Sequence, residues 1–86
     1  MKSNTEEIWK KRGEILKSAR LSKGLLQKDI AKMINVKNNT IAGYESGSRR
    51  MDIDTAIRLC LFLGIDLAYF LGLNRNFKFI KINNEY

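Results

Sequence analysis

Gln27-Lys28-Asp29-Ile30-Ala31-Lys32-Met33-Ile34, then Asn35-Val36-Lys37, then Asn38-Asn39-Thr40-Ile41-Ala42-Gly43-Tyr44-Glu45-Ser46-Gly47, decides the fold. In the first segment Ile30, Ala31 and Ile34 recur at helical spacing and share one face. Asn35 breaks that pattern, because asparagine tolerates the left-handed backbone better than most side chains. The third segment predicts a helix from about Asn38 to Ser46 that buries Ile41 and part of Tyr44, with Gly47 ending it. Two short helices so close in sequence cross tightly only where a small side chain lies at the crossing, and Ala31 is that side chain. Ile30, Ile34, Val36 and Ile41 then fix the angle. The second arm of this corner presents Lys37, Asn38, Asn39 and Thr40 at its N-terminal tip, with Ala42 and Gly43 one turn on.

Working outward, a first helix is expected from near residue 5 to about Lys23. Its start signals are Ser3 with Glu6 and Asn4 with Glu7, both at capping-box spacing. Ile8, Leu16 and Ala19 form its inward stripe, with Ile15 at the margin and Gly24 as the stop. Leu26 stands where a polar N-cap would contribute about 1 kcal/mol, so the second helix is expected to lack a cap. Asp52 is placed to cap a fourth helix running through Leu63, with Ile53, Ala56, Ile57, Cys60 and Leu61 or Leu63 inward. Asp66 is placed to cap a short fifth helix, Leu67 to Leu71. The end of the chain differs: Phe77-Lys78-Phe79-Ile80-Lys81-Ile82 is rich in strand formers. The fold class expected is all-α with five helices, followed by a short extension of strand-forming composition. Residues 1–11 extend the first helix, 12–72 form the domain, and 73–86 form the tail.

Composition agrees with this reading and narrows the function. The 86 residues give room for one domain, 44% of them are hydrophobic, and proline is absent. Sixteen Lys and Arg against nine Asp and Glu leave a net charge of +7, an electrostatic footprint suited to a polyanion. With no histidine, one cysteine and no glycine-rich phosphate loop, neither catalysis, a metal site nor a cofactor is expected. Cys60, within Leu59-Cys60-Leu61, reads as a buried structural thiol. Met1 to Arg12 is too polar for a secretion signal, and the longest apolar region, residues 59–73, is 15 residues interrupted by Asp66. That falls short of the roughly 20 residues a bilayer requires, so a cytoplasmic location is expected.

The bihelical corner is the mechanical unit of a helix-turn-helix. Its second helix must enter a major groove only about 12 Å wide with its N-terminal side chains aimed at base edges. Asparagine pairs with adenine through N6 and N7, so Asn38 and Asn39 point to reading at A·T pairs. Alternatively, one of the two simply caps the helix.

The pattern Arg20-x-x-x-Gly24-Leu25-x-Gln27-x-x-Ile30-Ala31, then Asn35-Val36, Thr40-Ile41, Tyr44-Glu45-x-Gly47 and Leu63-Gly64-Ile65-x-Leu67-x-Tyr69-Phe70-Leu71-Gly72, resembles the phage Cro and repressor family. These are also called xenobiotic-response-element type regulators. The resemblance spans residues 12–72 and implies a lambda-repressor-like five-helix domain that binds palindromic double-stranded operator DNA as a homodimer. By that likeness Gln27 contacts a phosphate and braces Asn38. Asn38, Asn39 and Gly43 fall at base-reading positions, with Lys37 and Thr40 beside them, and Arg20 pairs with Glu45. Lys28, Ser48, Arg49 and Arg50 are then the candidate phosphate contacts. Asn35 replaces the usual turn glycine, and Gly43 removes a side chain from a position that often reads a base.

Other partners fit parts of the sequence. Leu67, Phe70, Leu71, Phe77, Phe79, Ile80 and Ile82 form an apolar set suited to dimerisation, or to a protein partner such as a toxin or antirepressor. Trp9 among lysines would suit a membrane surface, although it reads more simply as a packing residue. The expected function is transcriptional repression, with an antitoxin or protein-interaction role as the alternative.

Overall fold

The computed structural model describes residues 4–73. It contains α1 (Asn4–Ser22), α2 (Gln27–Ile34), α3 (Asn38–Ser46), α4 (Ile53–Leu63) and α5 (Leu67–Leu71), and the described residues are otherwise turns and short connections. The fold is therefore all-α, as expected. Ser3 and the strand-forming stretch with Phe77, Phe79, Ile80 and Ile82 lie outside the described residues.

Every helix places one large side chain at the centre: Leu16, Ile30, Ile41, Leu59 and Phe70 are each almost wholly buried. Removing such a side chain from water contributes about 1.5–3 kcal/mol, so no single helix dominates the core. Ala31, Ile34, Tyr44, Met51, Ala56, Cys60 and Leu63 complete it, and the Cys60 thiol is free. Burial raises the pKa of that thiol, which makes it a packing group rather than a nucleophile.

On two helices individual side chains depart from the expected inward set, while Leu16 and Ala19 of α1 and Ala56, Cys60 and Leu63 of α4 lie inward as expected. Ile8 of α1 is exposed, whereas Leu16 is buried and Trp9 is half-buried beneath Arg12, whose guanidinium carbon lies 4.7 Å from the ring centre. On α4, Ile53, Ile57 and Leu61 face solvent, Leu61 at 76% exposure, while Thr55 and Leu59 are inward. α4 is apolar almost all round, so periodicity leaves its rotation open. Packing against the other helices selects the Leu59 side instead.

The α1–α3 contact is the closest in the molecule. A Cβ on Gly13 would overlap the carbonyl groups of Tyr44 and Glu45, and one on Gly47 would lie 2.7 Å from the Lys10 Cα. Those two glycines let α1 lie directly on the end of α3. Arg12 ties α1 to α5 by donating from Nη2 to the Leu71 carbonyl at 3.0 Å. A cation at that position also complements the negative end of α5.

Candidate nucleic-acid interface

The corner is built from α2, α3 and the turn between them. Asn35 adopts φ 59° and ψ 53°, the left-handed conformation its side chain tolerates. The Val36 N–H then donates to the Ala31 carbonyl at 2.9 Å and that of Asn35 to Lys32 at 3.3 Å, closing the end of α2. Leu26 supplies no side-chain cap, yet α2 is not bare at its start: the Leu26 N–H donates to Asp29 Oδ2 at 2.8 Å. This is the reverse half of a capping box, while the side-chain cap at Leu26 is absent as expected.

α3 begins with Lys37 at the cap position, making no side-chain cap bond. Asn38 and Asn39 are thus the first two residues of the helix. Lys37, Asn38 and Asn39 are exposed, and Thr40 is half-buried. The three exposed side chains stand at the tip of α3, where the backbone N–H groups also point outward.

Behind the tip, a polar network fixes how α3 sits on the domain. Arg20 Nε donates to Glu45 Oε2 at 2.6 Å and Arg20 Nη2 to Glu45 Oε1 at 3.1 Å, a two-pronged pair. Both side chains are more than nine-tenths buried. Arg20 Nη1 donates to the Leu25 carbonyl at 2.8 Å, and Gln27 Nε2 to Glu45 Oε1 at 3.0 Å. The hydrogen bonds to Glu45 raise the pKa of the Arg20 guanidinium, which holds its charge. The Gln27–Glu45 bond thus links the start of α2 to the end of α3.

The basic loop after α3 is fastened to the same helix. The Gly43 carbonyl accepts from the Arg49 N–H and from Ser46 Oγ, both at 3.1 Å, and the Ser46 and Ser48 hydroxyls are 2.9 Å apart. A Cβ on Gly43 would lie 2.9 Å from the Arg49 Cβ. Arg49 therefore packs closely across Gly43. Ser48, Arg49 and Arg50 are all exposed, as is Lys28, while Gln27 is half-buried.

The dimerisation set is divided. Phe70 is 1% exposed and belongs to the core of its own chain, so it cannot touch a partner while the domain is folded. Leu67 and Leu71 are half-buried. Arg12, Gly13 and Asp29 have structural roles that the sequence reading missed. Glu-or-Asp three residues after a helix start is a readable signal, whereas Gly13 acts through contacts distant in sequence.

A rigid two-helix corner, an exposed polar helix tip and a fastened basic loop define a helix-turn-helix domain. The chain belongs to the helix-turn-helix family, whose sequence model matches residues 16–70, and this is a DNA-binding class rather than an enzyme class. It is 37% identical over 60 residues to the HTH-type transcriptional regulator ImmR of Bacillus subtilis (strain 168), covering 70% of this chain and 47% of that protein. It is also 54% identical over 35 residues to endothelial differentiation-related factor 1 of Homo sapiens, covering 41% of this chain and 24% of that protein. The chain thus spans about half the length of the first of these relatives and about a quarter of the second.

Proposed function

We propose that this chain is a transcriptional regulator, a repressor that binds a palindromic operator as a homodimer with α3 in the major groove. The observation that carries this reading is the exposed tip Lys37-Asn38-Asn39, presented by a helix whose other end is locked through the Arg20–Glu45–Gln27 network. Base readout needs a side chain held in register, and the buried ion pair supplies that constraint. Asn38 and Asn39 read bases, with Thr40 and Lys37 beside them. Gly43 contributes by letting Arg49 lie across α3. Gln27, Lys28, Ser48, Arg49 and Arg50 hold the phosphates on either side. The family resemblance and the likeness to a transcriptional regulator support the regulatory role.

The test is selection of bound fragments from a random double-stranded DNA pool by the full chain. The expected result is a single enriched sequence with two-fold symmetry and half-sites about one helical turn, ~34 Å, apart. Recovery of unenriched DNA, or no retention even at low salt, overturns the reading.

A further inference from the structure

Among the described residues, α4 leaves a continuous apolar stripe open. Ile53, Ile57 and Leu61 recur every fourth residue along it, exposed to 55%, 37% and 76%. At about 1.5 Å rise per residue the stripe is roughly 12 Å long. Asp54 and Arg58 flank it on one side, one turn apart and both exposed. Among the described residues neither closes an ion pair at contact distance. An exposed row of aliphatic side chains with charges along its edge is the pattern of a helix that meets another helix.

We infer that this face of α4 is the contact between two copies of the chain, packed antiparallel about a two-fold axis near Ile57. Charge complementarity selects a second copy. In an antiparallel pair related by that axis, residues on one side of the stripe meet their counterparts on the same side. Asp54 of each copy then stands against Arg58 of the other, twice over, while Ile57 meets Ile57 and Ile53 meets Leu61. A parallel pairing would instead put the Asp54–Arg58 edges of the two copies on opposite sides of the stripe, where they cannot pair. On α5 Phe70 is buried and Leu67 and Leu71 are half-buried, which leaves Tyr69 as its one exposed large apolar side chain, without the charged edge that α4 carries. α4 also begins three residues after Arg50, so an interface there continues directly from the basic loop.

This inference rests on the homodimer reading above and gives it a location. The experiment is sedimentation equilibrium of the full chain, with helical content checked by circular dichroism. Leu61→Lys, Asp54→Lys and Arg58→Glu should each weaken self-association at least about tenfold, since apposed like charges are costly. The double variant Asp54→Lys with Arg58→Glu should recover most of the loss, because the pairing is restored with its signs exchanged. Unchanged dimers in the three single variants overturn the α4 interface and leave the dimer reading standing. Failure of the double variant to recover also overturns this pairing. A wild-type chain that stays monomeric up to about 1 mM, near the weakest association such a measurement resolves, overturns both.

Discussion

At the level of single residues, the domain treats its polar side chains in opposite ways. Glu45 is buried and accepts from Arg20 and Gln27, so it works as a structural hub. Asn39 is exposed, and among the described residues its side chain makes no hydrogen bond. Glu45→Ala should therefore destabilise the fold by about 3–5 kcal/mol, because Arg20 would remain buried without its counter-charge. Urea titration measures that loss, and a change below about 1 kcal/mol would show that solvent reaches the pair. Asn39→Ala should leave folding unchanged and cost about 1–3 kcal/mol on the selected operator, with relaxed preference at one base pair. Equal loss on operator and random DNA would assign Asn39 to the phosphate backbone instead.

At the level of elements, close approach and capping decide where the corner stands. Gly13→Ala should gain helix propensity on α1, worth about 1 kcal/mol, yet lose more. The new methyl meets the carbonyls of Tyr44 and Glu45, which are fixed backbone, and overpacking of this kind costs about 1–3 kcal/mol. The expected net result is a fall of several degrees in Tm, at about 4–8 °C per kcal/mol. A Tm at or above wild type would mean that α1 shifts freely on α3. Asp52 makes a separate prediction at the start of α4. Its carboxylate accepts from the Thr55 N–H at 2.8 Å, which lowers its pKa below the ordinary 3.8. Stability from this bond is thus fully present above 3.8 and is lost as pH falls through the lower, folded-state value. Asp52→Asn keeps a cap that does not titrate, so the gap between the two proteins should narrow below about pH 4. A gap independent of pH would exclude the carboxylate as its source.

These elements also show what a sequence can and cannot disclose. Asn35, Gly47 and the caps at Asp52 and Asp66 were legible because turn chemistry is local. Ala31 was legible because a crossing of two neighbouring helices needs a small residue. The Arg20–Glu45 pair came only through resemblance, since its partners lie 25 residues apart. On α4 the inward set was legible at Ala56, Cys60 and Leu63 but not at its edges, because Ile53 and Ile57 compete with Thr55 and Leu59 for the inward face. The packing of Arg49 across Gly43 was not legible for a related reason: the chain returns over it only six residues later, through the Arg49 N–H.

At the level of the whole molecule, the net charge of +7 and the placement of particular cations make different claims about DNA binding. A charge acting through the overall field contributes wherever it lies, attenuated by salt over about 10 Å. A charge seated on a phosphate releases a counterion and lowers the slope of log K against log salt by about 0.9 for each contact. Arg50 is exposed in the loop fastened to α3, whereas Lys11 is exposed beside Tyr69 on the α5 side of α1. Arg50→Ala should therefore flatten the slope by about 0.9 per protomer bound, hence by about 1.8 if two protomers occupy the site. It should weaken operator and random DNA alike, because a phosphate contact carries no sequence information. Lys11→Ala removes the same charge and should change the slope by much less. Binding measured by fluorescence anisotropy from about 50 to 200 mM salt separates the two cases. Equal slopes for the two variants would mean that attraction comes from the overall field, and that the basic loop does not grip the duplex.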